Sequence, residues 1–512
     1  SGLAESGTYA YYKNGSLVTT SESNTYKYSG LEDGTEYELK VIVKDQAGKT
    51  TQKTIDGMTN IIKIPGEWDG EVNTPMLSQG MIPVRYDEGE KTWVISNLND
   101  PEWYDYVDQK SGADGTSYWA NVMLSDGKYK YSENVSSKVV DSSGKEIAVG
   151  TKIRDTDMGS MFVWIPRYAY AITSNYNDED GGHIKIAFLE GTKMYSKGST
   201  INYKNNGTSG TANLTNQTGE GNWNEHPAFN FGGTILSGIW VAKYEASQSD
   251  AGTVYSNQGF SGIMKIQPNV TSWRSGTIGE MFTYCQNINN STNASIYGIS
   301  TDKSKIDPHM MKNMEWGAVA YLTQSSYGRN GKNVYINNSS DFITGNSGGH
   351  DSANEMSGTT FEYTTTRGQG ASTTGNVSGI YDMSGGAREY VSAYVEGEDA
   401  NESGSNLVNS DSKYKDIYIA DIDDDQPSNF NANSYIFGDA IYETSGAGQK
   451  YFAWTRSCQS SFPYSGQFFL RGGTYMYGDG SSIFIFDNST GENTGYVYNH
   501  ASFRPVLAVQ ND

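Results

Sequence analysis

Leu470-Arg471-Gly472-Gly473-Thr474-Tyr475 and, near the C-terminus, Ser502-Phe503-Arg504-Pro505-Val506 are the stretches on which the reading of this chain turns. Paired glycines permit close backbone approach or positive φ. Arg471 and Arg504 stand among apolar neighbours. Each offers a fork of N–H donors, and both read as guanidinium staples onto buried carbonyls or carboxylates. Phe503, Val506 and Leu507 alternate with Arg504 as a terminal strand that closes a sheet.

Upstream, Met161-Phe162-Val163-Trp164-Ile165-Pro166 is a buried strand by length and β-propensity, and Gly238-Ile239-Trp240-Val241-Ala242-Lys243-Tyr244-Glu245 is another. Asn313 to Thr323 spaces its apolar residues like a helix. Between these runs lie long Gly-, Asn-, Ser- and Thr-rich stretches at 201–222, 335–378 and 400–450, expected as surface insertions. One large mixed domain is expected over 158–512.

The first sixty residues differ. Tyr26 to Val43 carries a turn and then alternates apolar with polar residues, as a half-buried strand does. Asp45-Gln46-Ala47-Gly48 reads as the hairpin turn into a last strand. The pattern resembles fibronectin type III, with Leu31, Gly34, Thr35 and Tyr37 in the corner. Such a domain needs about 100 residues, so 1–60 is expected as a partial Ig- or fibronectin-like β-sandwich, a piece of a longer chain. Residues 61–157 hold short aromatic strands such as Trp93-Val94-Ile95 and Trp119-Ala120-Asn121-Val122. They read as a β-rich connector packed on the next domain, similar to a segment of prophage-encoded surface and tail proteins.

Composition narrows the function. The 512 residues carry a formal charge of −22, which repels phosphate backbones and anionic membranes, so nucleic-acid binding is not expected. No apolar run is long enough to span a bilayer, so membrane insertion is not expected either. Charged residues are 19%, while Gly (59) and Tyr (38) are abundant, which favours strands and loops over a helical bundle. Tyr also suits recognition, because it gives a large amphipathic contact at little rotamer cost. Cys285 and Cys458 are compatible with one disulfide or with two buried thiols. His183, His226, His309, His350 and His500 show no metal-ligand spacing. No nucleophile elbow, zinc-protease helix or phosphate loop is present.

Gly375-Asn376-Val377-Ser378-Gly379-Ile380-Tyr381-Asp382-Met383-Ser384-Gly385-Gly386-Ala387-Arg388-Glu389-Tyr390-Val391, taken with Phe162–Pro166, Leu470–Tyr475 and Ser502–Val506, resembles the formylglycine-generating-enzyme and sulfatase-modifying-factor superfamily. The resemblance covers 158–512. It departs at Gly386, where the family has Asn, and at Arg388 and Tyr390, where it has Trp. It implies an α+β, C-type-lectin-like fold. It also implies structural calcium around the motif. Asn376, Asp382 and Glu389 are kept as ligands and Gly386 removes one, so a single calcium is allowed and a complete pair is not. No other cofactor is implied. Asp421-Ile422-Asp423-Asp424-Asp425 is open to two readings, a calcium loop or a solvated acidic loop. The family's catalytic branch oxidises thiols with two closely spaced C-terminal cysteines and copper. No cysteine lies between Gly473 and Phe503 here, so the resemblance points to a non-catalytic branch. A formylglycine-generating-like copper oxidase is the alternative.

Between Tyr475 and Ser502, glycines with Phe484 and Phe486 form a regular frame, and Tyr, Asp, Ser, Asn and His fill the gaps. This resembles the variable region of proteins diversified by retroelements that mutate template adenines. Those proteins share the Arg-Gly-Gly-x-Tyr opening and the Phe-Arg closing strand. Mutated Asn codons yield the types found at Tyr475, Tyr477, Asp479, Ser481, Ile485, Tyr496, Tyr498, Asn499 and His500. The resemblance makes these nine the ligand-binding residues, with Trp454 either flanking them or in the core. The function expected is recognition, without catalysis, of a protein or glycan receptor on a cell surface. The bearer would be an extracellular, prophage tail-associated protein or a bacterial surface adhesin, gaining from multivalent display. A structural virion or cell-wall protein without specific ligand is the other alternative.

Overall fold

In a computed structural model the chain is described apart from residues 1–7, 30, 32–34, 45–46, 59–62, 110–114, 126, 133–137, 174–183, 206–207, 216–221, 249–259, 261, 353–354, 356–357, 446–450, 453–458, 490–497 and 511–512. It is a mixed, strand-rich chain that divides into two compact units, Ser1–Ile64 and Pro65–Asp512.

In the first unit, the expected alternating strand is Glu36–Lys44, paired antiparallel with Thr50–Met58 as a hairpin. Thr8–Lys13 and Ser16–Ser21 complete one four-stranded sheet. Among the described residues this unit holds a single sheet and no second layer, so the expected sandwich is reduced to one face.

The second unit is built on a seven-stranded antiparallel sheet. Its strands run in the order Ile306–Met310, Pro505–Val509, Gly238–Ala242, Ser160–Pro166, Asn121–Leu124, Met81–Asp87, Thr92–Ile95. Three of the seven come from the stretch read as a connector, so 65–157 is part of this unit's core. Trp164 pairs in register with Trp240, their rings 5.2 Å apart. The two indole N–H groups are carried to Asn73 O (3.1 Å) and Met76 O (2.6 Å), which satisfies donors that burial would otherwise strand. Ser160–Pro166 and Pro505–Val509 are buried along their whole length, because both faces of the sheet are covered. The terminal strand therefore shows no alternation in burial, and it lies inside the sheet rather than at its edge.

The helix Asn313–Gln324 forms as its spacing predicts. Glu315 closes its first turn by accepting from the Lys312 backbone N–H (2.9 Å), and its other oxygen meets His309 Nε2 at 2.7 Å. A second sheet of five strands packs Ile184–Phe188, Tyr168–Ile172, Asn222–Glu225, Thr208–Leu214 and Thr200–Asn205. Residues 201–222, expected as an insertion, thus supply strands of it. Residues 335–378 also depart from expectation. Ser347, Ser372, Thr373 and Thr374 are fully buried. Their hydroxyls and the neighbouring amides satisfy one another, as with Thr374 Oγ1 donating to Asn376 Oδ1 (2.9 Å), so a polar segment can enter the interior. Within 400–450 the chain forms helices Ala400–Val408 and Gln426–Ala432. Asp425 caps the second by accepting from Ser428 N, and Asp424 Oδ1 accepts from Ser465 N (2.7 Å). These two aspartates of the acidic stretch thus serve backbone turns.

A further sheet positions the site. Arg388–Val395 is flanked by Phe468–Arg471 antiparallel and by Ala501–Ser502 parallel, and Phe486–Asn488 extends beyond Phe468–Arg471. The two motif segments and the C-terminal approach are therefore adjacent strands.

Candidate functional site

Successive residues of a strand point to opposite faces. At the start of Arg388–Val395 this sends Glu389 and Arg388 to opposite sides of the strand, Glu389 into the core and Arg388, itself buried, beneath the surface formed by Tyr477 and Tyr498. Glu389 grips Arg504, Oε2 accepting from Nε at 2.7 Å and Oε1 from an Nη. Arg504 also donates to Ala242 O (3.0 Å) and Tyr381 O (3.1 Å), so it is the staple its setting predicts. Arg471 is the second, donating to Asn313 Oδ1, Asp439 O and Ala440 O. Gly472 (φ 80°) and Gly473 (φ 71°) occupy the left-handed region that the paired glycines were expected to supply.

Arg388 organises the outer face. Its guanidinium lies 5.5 Å from the Tyr477 ring and 5.6 Å from the Tyr498 ring, a cation between two π faces. One nitrogen pairs with Asp487 (3.1 Å) and another reaches His500 Nε2 (2.5 Å). A guanidinium only donates, so His500 Nε2 is an acceptor and the ring is neutral, its proton on Nδ1 facing Asn499 Oδ1 at 2.8 Å. Burial, then Arg388 and Arg274, press the His500 pKa down to about 4. Arg274 donates to Asn499 O and lies 3.7 Å over Phe342, which meets Tyr475 edge-on at 4.9 Å. The loop after Phe468–Arg471 and the segment before Ala501–Ser502 are thereby tied to one surface.

The nine expected binding residues divide. Tyr477 (47% exposed) and Asn499 project to solvent beside Met476 (54%), and Tyr475, Tyr498 and His500 are half-buried at the same face. Ser481 (5%) and Ile485 (4%) do not belong to it. Ser481 turns inward to donate to Thr474 O (2.7 Å), and Ile485 packs into the core with Phe484 and Phe486, so both serve the frame. Tyr496, Trp454, Cys458 and the Asp479 side chain lie outside the described residues. Arg388, Asp487, Arg274 and Phe342 were missed. Arg388 had a legible signal, a charge standing where the resembling family has Trp.

The three residues that the resemblance offers as calcium ligands have their oxygens committed to other partners and do not fit that ion. Asn376 Oδ1 accepts from Ser378 N, Ser378 Oγ and Thr374 Oγ1, and its amide donates to Gly115 O and Ser117 O. Asp382 accepts from Asn337 Nδ2 and Gly345 N, both at 2.9 Å. Glu389 is committed to Arg504. Glu245 Oε1 lies 2.7 Å from where a Gly386 Cβ would sit and accepts from Ala387 N, so a carboxylate fills the space of the missing side chain. Burial raises the pKa values of Glu245, Asp382 and Glu389; Arg504 opposes it at all three, and repulsion from Asp382 adds to it at both glutamates. Arg504 is the cation around which the cluster closes. Among the described residues no group of three or more His, Cys, Asp or Glu is arranged to hold a metal ion.

Cys285 is a free thiol inside the helix Ile278–Gln286, fully buried, and burial holds its pKa well above the usual thiol value. Among the described residues no helix is long and apolar enough to cross a membrane. No protein-family profile matches the chain, and no curated protein matches it.

Proposed function

We propose that this chain is a non-catalytic, extracellular recognition protein whose second unit is a C-type-lectin-like domain. Its binding face is the surface around Tyr475, Met476, Tyr477, Tyr498, Asn499 and His500, and its partner is a protein or glycan receptor on a cell surface. The observation that carries the reading is the meeting of Tyr477, Tyr498 and His500 on Arg388. Side chains from separate loops share one partly exposed surface, anchored by aromatics with adaptable polar groups between them. The inward frame of Phe484, Phe486, Ser481 and Gly473 lets the outer positions change without disturbing the core, which suits diversification by a retroelement. The buried Cys285 thiol, away from any reactive thiolate state, favours binding over copper-dependent oxidation. Display on a phage tail or a bacterial surface would multiply weak single contacts.

The test is attachment of the labelled protein to a panel of bacterial cells. Tyr477→Ala and Asn499→Ala, with unchanged melting temperature, each reduce attachment by about tenfold, the loss of roughly 1.4 kcal/mol typical of an interface anchor. Unchanged attachment in the folded variants assigns the face to a structural virion or wall role. Sequencing the adjacent DNA checks diversification, since a reverse-transcriptase gene and a template repeat matching codons 470–505 are expected beside it.

A further inference from the structure

Three side chains stand in a row beneath Tyr477 and Tyr498. Asp487, on Phe486–Asn488, pairs with one Arg388 nitrogen (3.1 Å), and another donates to His500 Nε2 (2.5 Å). Arg388 is only 5% exposed, so these two acceptors do for its guanidinium what water does at a surface. Behind His500, Asn499 Oδ1 accepts from Nδ1 (2.8 Å), and Arg274 donates to the Asn499 carbonyl. Tyr390 lies 6.4 Å from the Tyr498 ring. The phenols of Tyr390, Tyr477 and Tyr498 carry no charge in acid, and Arg274 and Arg388 keep theirs. Among the described residues around Arg388, Asp487 and His500 are therefore the two whose charge changes between neutral and acid solution.

Both changes act against Arg388. At neutral pH the Asp487 carboxylate cancels the guanidinium charge, and neutral His500 lends it a lone pair. Burial lifts Asp487 above its ordinary 3.8 against the pull of Arg388, so this counter-charge is lost early as pH falls. A protonated His500 has no lone pair left for Arg388 and sets a second cation against it at hydrogen-bond distance. Arg388 then gains by moving out to water. The two rings it holds, 5.5 Å away at Tyr477 and 5.6 Å away at Tyr498, lose their common support. The core responds in the opposite sense. Burial lifts Glu443 to about 7 and Asp439 and Asp416 to about 6, so the folded chain takes up these protons before the unfolded chain does. Lowering the pH through that range relieves the core while it strains the face.

We infer that Asp487, Arg388 and His500 form an acid-operated release switch, which holds Tyr477 and Tyr498 together at neutral pH and lets go of them, and of a bound partner, in acid. The release of a partner rests on the recognition function proposed above. The loosening of the two rings rests on the hydrogen bonds and ring contacts of Arg388.

Two readouts on the whole chain test the switch, with cooperative melting checked across the same pH range. The first is NMR of the His500, Tyr477 and Tyr498 rings, assigned through His500→Gln, Tyr477→Phe and Tyr498→Phe. His500 should titrate at least about one pH unit below the ordinary 6.5, and both tyrosine rings should shift at the same midpoint. Arg388→Gln removes the cation and should raise the His500 midpoint by at least about one unit. In case that change unsettles the fold, His500→Gln accepts from Arg388 but takes no proton, and its tyrosine rings should lose the shift. The second readout is attachment of the labelled protein to bacterial cells, taken within each protein as the ratio of about pH 7 to about pH 4. Wild type should lose about tenfold in acid, and His500→Gln less than about threefold. An ordinary His500 midpoint, tyrosine rings that do not follow it, loss of cooperative melting together with the face, or an acid loss that His500→Gln leaves in place overturns the switch. Rings that follow His500 in a protein that attaches to no cell at neutral pH overturn the recognition function, and the release role with it.

Discussion

Arg504 and Glu389 are both out of reach of water, and each is the other's charge partner. Removing Glu389 breaks a buried, hydrogen-bonded ion pair and leaves Arg504 to the more distant Asp382 and Glu245, which costs about 3 kcal/mol, the lower end for a buried pair. Glu389→Gln should therefore lower the urea-denaturation free energy by that amount, with no effect on the exposed Tyr477. Other buried carboxyls act in the opposite sense to a surface salt bridge. Burial, against hydrogen bonds from Gly438 N and the Tyr170 and Tyr321 hydroxyls, lifts Glu443 from 4.5 to about 7. The folded chain keeps this proton where the unfolded chain has released it. The stability it contributes is complete below the ordinary pKa and is lost as pH rises through about 7. Comparing wild type with Glu443→Gln at acid and neutral pH should show the wild-type advantage shrinking by about 3 kcal/mol as pH rises. Neutral His500 has the other sign. Its contribution is present above the ordinary histidine value of 6.5 and is lost as pH falls through about 4. Because Asn376, Asp382 and Glu389 have their oxygens taken, added calcium should leave the melting temperature unchanged. A rise abolished by Asn376→Ala would contradict this. Arg471 and Arg504 were legible in the sequence because charge amid apolar residues demands a partner. Their partners were not, since Glu389 on a strand and Asp439 in a loop reach them only when segments distant in sequence are brought together.

At the scale of elements, the turn at Gly385-Gly386 leaves no room for the asparagine that the resembling superfamily carries at the position of Gly386. Gly386 has φ 69° and its missing Cβ faces Glu245. Gly386→Asn should cost about 1–3 kcal/mol, from the left-handed backbone and the crowding of a buried carboxylate. Stability equal to wild type in that variant would show that Glu245 can move aside. Buried strands and the helix Asn313–Gln324 were readable because continuous apolar runs and a helical period mark them directly. The segment 335–378 was not. Hydroxyls and amides look like solvent-facing loop in a sequence. Only in the fold do Thr344, Asn337 and Asn376 become the donors and acceptors that let backbone pass through the interior. The same ambiguity placed Ser481 and Ile485 on the outer face, when the turn between them points both inward.

For the whole molecule, the chain divides at Ile64/Pro65, and of the two sequence boundaries, near 60 and near 157, the second has no counterpart, because three short aromatic strands carry no mark of which sheet they join. A chain of residues 65–512 should keep the melting transition of the second unit. Removing residues 1–157 should abolish cooperative unfolding, because Ser160–Pro166 would lose Asn121–Leu124 and become a bare hydrophobic edge. The charge of −22 and the strand-rich class were legible from composition, whereas the proposed recognition face rests on the meeting of Tyr477, Tyr498 and His500 on Arg388, which only the fold brings about. The most direct measurement is a scan of all substitutions at 475–500 on a displayed chain, sorted in parallel for folding and for attachment to receptor-bearing cells. Positions 477 and 499 should tolerate most substitutions for folding and few for attachment, while 481 and 485 fail in folding itself. Attachment that is indifferent to every folded change at 475–477 and 498–500 would contradict the account.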